Sequence, residues 1–594
     1  MQIKKHTYNM GIIGNCSYLA YVDTKANIKW MCLPKFDSSF IFGSLLDEKK
    51  GGEFSIQPVE NKYTSNQYYL KNTNILVTEF YSSDGSYRVI DFAPRFYHFD
   101  RYFKPLMVIR KLEVISGNPF IRVVCRPVGN YGEIIPQTVQ GSNHIQYQNL
   151  DSLVRLTTDI SLNYILDKKG FLLNDTKYLV FTYGVPLEAP LVSTAETFLD
   201  KTKLYWYNWA KATKIPNIFQ EEVIRSALVL KLHQYEDTGG IIAAGTTSLP
   251  EHNQSGRTWD YRYCWMRDTY YTLNAFNNIG QFQELERYFN FIQNIILNEK
   301  EFVNPLYTIT GNRVNVVNNL NLKGYLNNKP VRIGNDAVKQ IQNDVYGQIM
   351  ISLLPLFIDK RSNYADNNKA LQITKWLLKQ IEKTIELPDA GLWEFGNTIQ
   401  HHSNTALFHW AGSKAGLKIA KYFNNRELMN LSNRLILKAK DKIEQCYDFK
   451  QKAYTQSNKN NFLDASSLQL ITMNYLDPKS DISLNHINAI KKKLQNKDGL
   501  FFRYANNDDI GRPKVSFLIC AFWYAEALAC IGKVDEAFLM INKLNGYSNH
   551  LGLFSEDADM NGGQWGNFPQ TYSHVGFINA VSRIANKQDN PIFF

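Results

Sequence analysis

Cysteine is scarce in this 594-residue chain, and its pattern argues against two architectures. The seven cysteines (positions 16, 32, 125, 264, 446, 520 and 530) are odd in number and form no C-x-x-C pair. A disulfide framework and a cysteine-held metal site are both disfavoured, and reduced thiols fit a cytoplasmic protein. Long apolar runs are lacking as well. The best stretch, Ser516 to Gly532, is interrupted by Glu526 and falls short of the roughly 18 apolar residues of a membrane span. It reads as a buried helix. Residues 1–10 carry neither the apolar core nor the cleavage site of a secretory leader, so the expected location is the cytoplasm. No phosphate-cradling glycine loop and no serine-nucleophile elbow occurs in a strand–turn–helix context, which leaves nucleotide and serine-hydrolase chemistry unsupported.

Positive charge is in excess, with a net charge of +11 and a pI near 9.0, but it is not concentrated. The densest run is Lys491-Lys-Lys493 on a solvated helix, and no basic stripe accompanies it, so the sequence speaks against a nucleic-acid partner. Aromatic residues are plentiful: 35 Tyr, 35 Phe and 10 Trp, or 13% of the chain. Most must fill the core, and a few are available as flat platforms for sugar faces.

The first third reads as strands. The runs Asn74 to Tyr81 and Ser86 to Phe92 flank Asp84-Gly85, a hairpin turn signal. Further runs are Leu19 to Val22, Ile28 to Leu33, Ile121 to Cys125 and Tyr178 to Tyr183. Turn residues at short intervals predict antiparallel sheets, most simply a β-sandwich over residues 1–192. Ser193-Thr-Ala-Glu196 has the form of a capping box opening a helical linker over 193–216. From Phe219 onward the apolar period is helical, with about twelve segments starting near 219, 267, 281, 336, 366, 403, 426, 463, 482, 514, 533 and 572. Twelve helices without intervening strands predict six hairpins closed into an (α/α)₆ barrel over 217–594. An open solenoid is the rival, but no fixed sequence period supports it.

Two glutamates stand in glycine- and aromatic-marked loops between these helices: Glu394 in Gly391-Leu-Trp-Glu394 and Glu556 in Gly552-Leu-Phe-Ser-Glu556. Cleaving a glycosidic bond needs one carboxyl to protonate the leaving oxygen and a second carboxylate on the other face of the sugar. Leu392 and Trp393 predict an apolar surrounding for Glu394, which raises a carboxyl pKa and suits a general acid. Ser555, Asp557 and Asp559 predict a polar surrounding that keeps Glu556 ionised as a base. The segment Trp259-Asp-Tyr-Arg-Tyr-Cys-Trp-Met-Arg-Asp268 packs aromatics against adjacent acids and arginines. Either it binds sugar hydroxyls through Arg267 and Asp268, or it is an Arg–Asp network stitching the barrel rim. His401, His402 and His409 have no zinc-like spacing and are expected in core or loop roles.

These blocks resemble glycoside hydrolase family 15, the glucoamylase-like enzymes, in their bacterial form. The resemblance runs from Gly14-Asn-Cys and Trp30-Met-Cys-Leu-Pro-Lys-Phe-Asp37 through Ala243-Ala-Gly-Thr-Thr-Ser-Leu-Pro-Glu251 and Trp259–Asp268. It continues with Pro330-Val-Arg-Ile-Gly-Asn335, Asp344-Val-Tyr-Gly347, Gly391–Glu394 and Gly566-Asn-Phe-Pro-Gln570 to Ser573-His574. It implies an N-terminal β-supersandwich, a linker and a catalytic barrel, with no metal and no cofactor. The implied reaction is exo-acting, inverting hydrolysis of α-1,4-glucans or maltooligosaccharides with release of β-glucose. Trehalase or α-1,6-glucosidase activity is the alternative. A phosphorylase and a non-catalytic glycan-binding protein rank behind it, because both carboxylates are present. By position, Glu394 is implied as acid and Glu556 as base, with Arg267, Asp268 and Arg503 on sugar hydroxyls and Tyr261, Trp265 and Trp393 lining the pocket. Phe395 departs from the second glutamate often found after the acid, and Gly511-Arg-Pro-Lys-Val-Ser516 replaces a commonly acidic stretch. The expected partner is an oligo- or polysaccharide, and the oligomeric state is left open.

Overall fold

The computed structural model describes residues 5–299, 301–361 and 367–588. The predicted hairpin closes with Leu76–Ser82 against Gly85–Phe92, Tyr81 opposite Ser86 and Leu76 opposite Asp91. It belongs to an eight-stranded antiparallel sheet. In spatial order the strands are Gln137–Gln140, His144–Gln148, Val154–Thr158, Lys177–Tyr183, Met107–Gly117, Gly85–Phe92, Leu76–Ser82 and Tyr63–Tyr69. A four-stranded meander spanning Met10–Gly14 to Phe40–Phe42 and a three-stranded sheet of Gly170–Leu172, Phe120–Arg126 and Glu53–Pro58 complete the domain. The three sheets meet at Phe181, whose ring lies 5.2 Å from Phe42 and 6.0 Å from Phe54. One ion pair is sealed among them. Arg110 and its cross-strand partner Asp91 are both fully buried, and the guanidinium also donates to the Phe54 and Ala26 carbonyls at 3.1 and 2.6 Å. With every guanidinium nitrogen so occupied, the desolvation cost of the charge is offset.

The linker helix is Leu191–Lys211, and it begins without the expected capping box: Pro190 stands at its N-cap, and no side chain caps it. Glu196 is spent elsewhere, accepting from Tyr178 Oη at 2.5 Å and pairing with Lys111 at 2.6 Å. Trp209 Nε1 donates to Glu284 Oε1 at 2.9 Å, which fastens the linker to the first barrel hairpin.

The barrel is two concentric rings. Helices Thr269–Asn278, Asp344–Ile358, Ser403–Tyr422, the short Ala465–Thr472 turn, Leu518–Cys530 and Thr571–Gln588 each touch the next, and the last touches the first. Outside them lie Gln220–His233, Phe282–Asn298, Asn367–Thr384, Arg426–Glu444, Asp481–Leu494 and Val534–Asn545. Sequence chemistry sorts them. Leu518–Cys530 is buried at every position but its last, whereas Arg426–Glu444 buries one stripe: Leu428, Leu431, Leu435, Ala439 and Ile443. Closest approach in the inner ring is through glycine, since a Cβ at Gly347 would overlap the Phe408 carbonyl.

The closed ring bears out the barrel over the solenoid. Three starts shift. Residues 336–339 form only a 3₁₀ turn and the helix begins at Asp344; the segment near 463 is a 3₁₀ turn and one helical turn; the helix expected from 514 starts at Leu518. The start expected near 366 falls outside the described residues. Among the described residues no helix is long and apolar enough to cross a membrane.

Candidate active site

All inner helices run in the same direction, so the loops before their N-termini meet at one end of the barrel. Asp268 is the N-cap of Thr269–Asn278, Glu394 lies in the loop before Ser403–Tyr422, and Tyr572 sits in the first turn of Thr571–Gln588. The loops need unusual backbone. Gly391 takes φ +68°, where a Cβ would press on the His402 ring, and Glu394 itself takes φ +63°. A left-handed glutamate is uncommon and costly, and such strain concentrates at functional sites.

Between the loops lies a cavity of about 470 Å³. Every candidate residue from the sequence lines it: Tyr261, Trp265, Arg267, Asp268, Trp393, Glu394, Arg503 and Glu556. Two aromatic residues hold the two glutamates. Tyr261 Oη donates to Glu556 Oε1 at 2.6 Å, and Trp265 Nε1 donates to Glu394 Oε1 at 2.8 Å. The two rings meet edge to face, 5.3 Å apart, so the carboxylates are held at a fixed relative placement by one short segment. Glu394 also accepts from Arg267 Nη1 at 3.1 Å, and Glu556 Oε2 accepts the Asn567 N–H at 3.2 Å.

The surroundings of the two acids reverse the expectation drawn from their sequence neighbours. Glu394 does not sit in an apolar nest, because Trp393 turns its indole N–H to Asp464 at 2.8–2.9 Å and leaves the acid to Trp265 and Arg267. Glu556 is only 2% exposed. Burial, together with the negative charge of Glu251, pushes its carboxyl up to about 7. Asp268 is raised to about 6 by burial, against the pull of Arg267. Asp389, under the Glu394 loop, is raised to about 7 by burial and by Asp344, while accepting from Asn343 N and Thr405 Oγ1 at 2.9 Å.

The aromatic–charged segment is split between two places, one pair at the interface with the N-terminal domain and one on the cavity. Asp260 and Arg262 are fully buried, joined at 2.7–2.8 Å, and Arg262 donates to the Ser38 carbonyl of the N-terminal domain at 2.7 Å. Arg267 and Asp268 instead face the cavity. Arg267 Nε and Asp268 Oδ1 are 3.7 Å apart and have no hydrogen-bond partner in the protein, and the same is true of Tyr572 Oη. Charged and hydroxyl-bearing side chains lining a cavity suit a ligand dense in hydroxyl groups. His402 and His409 are buried, His409 hydrogen-bonded to the Asn343 carbonyl at 2.9 Å and His402 stacked on Phe395, which fits the core and loop roles expected.

Sequence reading missed several wall residues: Glu251, Arg257, Gln340, Asp508 and Tyr572. Glu251 ends a block that was noticed, and Tyr572 lies beside Ser573-His574, so adjacency to those blocks was the available signal. Asp509 also escaped. Its carboxylate accepts the Gly396 and Asn397 N–H groups at 2.5 and 3.3 Å, tying the loop at 508–511 to the Glu394 loop at the cavity rim.

An antiparallel sheet domain leading into an (α/α)₆ barrel, with two carboxylates and an aromatic wall at the helix N-termini, is the architecture of a glycoside hydrolase. Residues 217–582 match the family model for glycosyl hydrolases family 15, and residues 4–156 match that for the trehalase-like N-terminal domain. The chain belongs to glycosyl hydrolases family 15. It is 28% identical to a trehalase of Thermoplasma volcanium, over 97% of this chain and 93% of that one. It is 29% identical to trehalase 1 of Sulfolobus acidocaldarius, over 97% and 98%. The crystal structure of a bacterial glucoamylase complexed with acarbose superposes with a TM-score of 0.71 over 98% of this chain and 95% of that one, at 14% identity, a likeness of fold alone.

Proposed function

We propose that this glycoside hydrolase is a trehalase, cleaving α,α-trehalose to two glucose molecules with inversion at the attacked carbon. Maltooligosaccharides stood first in the reading of the sequence and trehalose second; similarity along nearly the whole chain to proteins named trehalase reverses that order. The observation that carries the chemistry is the pair of glutamates lining one cavity, held by Tyr261 and Trp265.

In this reading Glu394 gives its proton to the bridging oxygen as the C–O bond breaks. Positive charge develops on the ring carbon, and Glu556 takes a proton from the water whose oxygen forms the new bond on the opposite face. A base whose carboxyl is raised to about 7 is well matched to work near neutral pH. Arg267, Asp268 and Arg503 take sugar hydroxyls, with Tyr261, Trp265 and Trp393 against the ring faces.

Anomeric proton NMR in the first minutes of digestion tests both substrate and stereochemistry. Inversion releases β-glucose from the attacked unit, while the leaving glucose keeps its α configuration, so trehalose yields both anomers in equal initial amounts. Only α-glucose would mean retention and would remove the base role of Glu556. Turnover of maltoheptaose with trehalose untouched would return the assignment to the glucoamylase type.

A further inference from the structure

A third carboxylate faces the cavity. Glu251 is 3% exposed, and its two oxygens lie 3.4 Å from Arg503 Nη1 and Nη2, with Arg257 Nε 3.7 Å from Oε2. Its loop is built onto the Glu556 loop. The Pro250 carbonyl accepts the Gly566 N–H at 2.8 Å, and Gly566 lies so close to Glu556 that a Cβ there would come within 2.5 Å of Oε2.

Each element packed around Glu556 brings a titratable or charged group. They are Tyr261 from the aromatic segment, Glu251 from the loop before it, Arg503 from the loop after Asp481–Leu494, Asp557 next in the chain, and Tyr8 from the N-terminal segment. Arg503 is the cation nearest this group, and its donors are divided: Glu251 takes two, and Asp508 lies 3.7 Å away. Arg257 donates to Asp508 at 2.5 Å. Glu251, Asp508, Asp557 and Glu556 thus share two guanidinium groups, an excess of negative charge in a buried place.

We infer that Glu251 is a positioning residue that fixes Arg503 on the cavity wall and, through its own charge beside Glu556, decides how far into acid the reaction continues. The inference rests on Glu556 acting as base. Like charges in a buried site hold a proton to higher pH. Glu251→Gln removes one charge and releases Arg503 toward Glu556, and both changes favour the ionised base.

The test is the pH profile of kcat/KM on trehalose. In the wild-type protein the acid limb is expected near 7. Glu251→Gln is expected to move its midpoint down by about one pH unit or more, and Glu251→Asp, which keeps the charge, to stay nearer wild type. A purely structural role would lower turnover at every pH without moving the limb, and that result would overturn the inference. If Glu251→Gln does not fold, the wild-type limb decides, because a midpoint at an ordinary glutamate value of about 4.3 contradicts it. Glu556→Gln, assayed alongside, separates two failures. An inactive Glu556→Gln with an unmoved limb in Glu251→Gln removes only the role of Glu251; full turnover by Glu556→Gln removes the base itself.

Discussion

Two Arg–Asp pairs lie within ten residues of each other, in chemically similar sequence, and do opposite things. Asp260 and Arg262 are fully buried and completely hydrogen-bonded to each other and to the N-terminal domain. Arg267 and Asp268, 14% and 16% exposed at their side chains, face the cavity with atoms that find no partner in the protein. One pair is closed, and its charges stabilise the interface by being satisfied. The other is open, its side chains lining the cavity. Composition does not separate them; depth and the partners supplied by distant segments do.

The largest expected effect lies on the open side. Glu394→Gln and Glu556→Gln should each lower kcat by about 10²–10⁴-fold while the circular dichroism spectrum stays that of the wild type. Turnover near the wild-type level in either variant would reassign the acid or the base.

Next comes a direct contrast of the two pairs. Arg262→Ala leaves Asp260 buried and unpaired and withdraws the bond to Ser38, so urea unfolding should show a loss of about 3–5 kcal/mol. Arg267→Lys keeps the charge but not the fork that reaches the Leu392 carbonyl and Glu394 at 2.7 and 3.1 Å. It should lower kcat/KM by about 10–100-fold, the value of one charged hydrogen bond, and move the unfolding midpoint far less than Arg262→Ala. Equal stability losses in the two variants would erase the distinction between closed and open.

How much of this was legible in sequence follows the same line. The hairpin at Asp84-Gly85, the helical period after Phe219 and the eight candidate residues are local patterns, and local patterns survive folding. The surroundings of the glutamates were misread because neighbours in sequence were taken for neighbours in space. Trp393 precedes Glu394 yet serves Asp464, while the groups that touch Glu394 come from Trp265 and Arg267 in another hairpin. Ser555 precedes Glu556 and turns away to the Asp557 carbonyl, while Tyr261 and Glu251 arrive from the loop between Gln220–His233 and Thr269–Asn278. The capping box at 193–196 failed for the same reason: Glu196 has a stronger offer from Lys111 and Tyr178 across the domain boundary.

The smallest effect sharpens the comparison most, because it asks what an open, functional carboxylate costs the fold. Burial and Glu251 raise the folded-state value of Glu556 to about 7, above that of the unfolded chain. The folded protein therefore holds this proton where the unfolded chain has lost it. The stabilising contribution is fully present below the ordinary glutamate value and is lost as pH rises through about 7. At pH 8 the protein carries a buried charge that Glu556→Gln lacks. The amide offers one acceptor oxygen to two donors, Tyr261 Oη and Asn567 N–H, at any pH, so the absolute stability of the variant is less informative than its slope. Asp268 and Asp389 titrate in the same direction in both proteins and cancel from the difference. Relative to wild type, Glu556→Gln should gain stability between pH 5 and pH 8 by on the order of 1–3 kcal/mol, read from urea midpoints at the two pH values. A difference between Glu556→Gln and wild type that does not change with pH would mean that the buried glutamate is fully solvated in practice and costs the fold nothing.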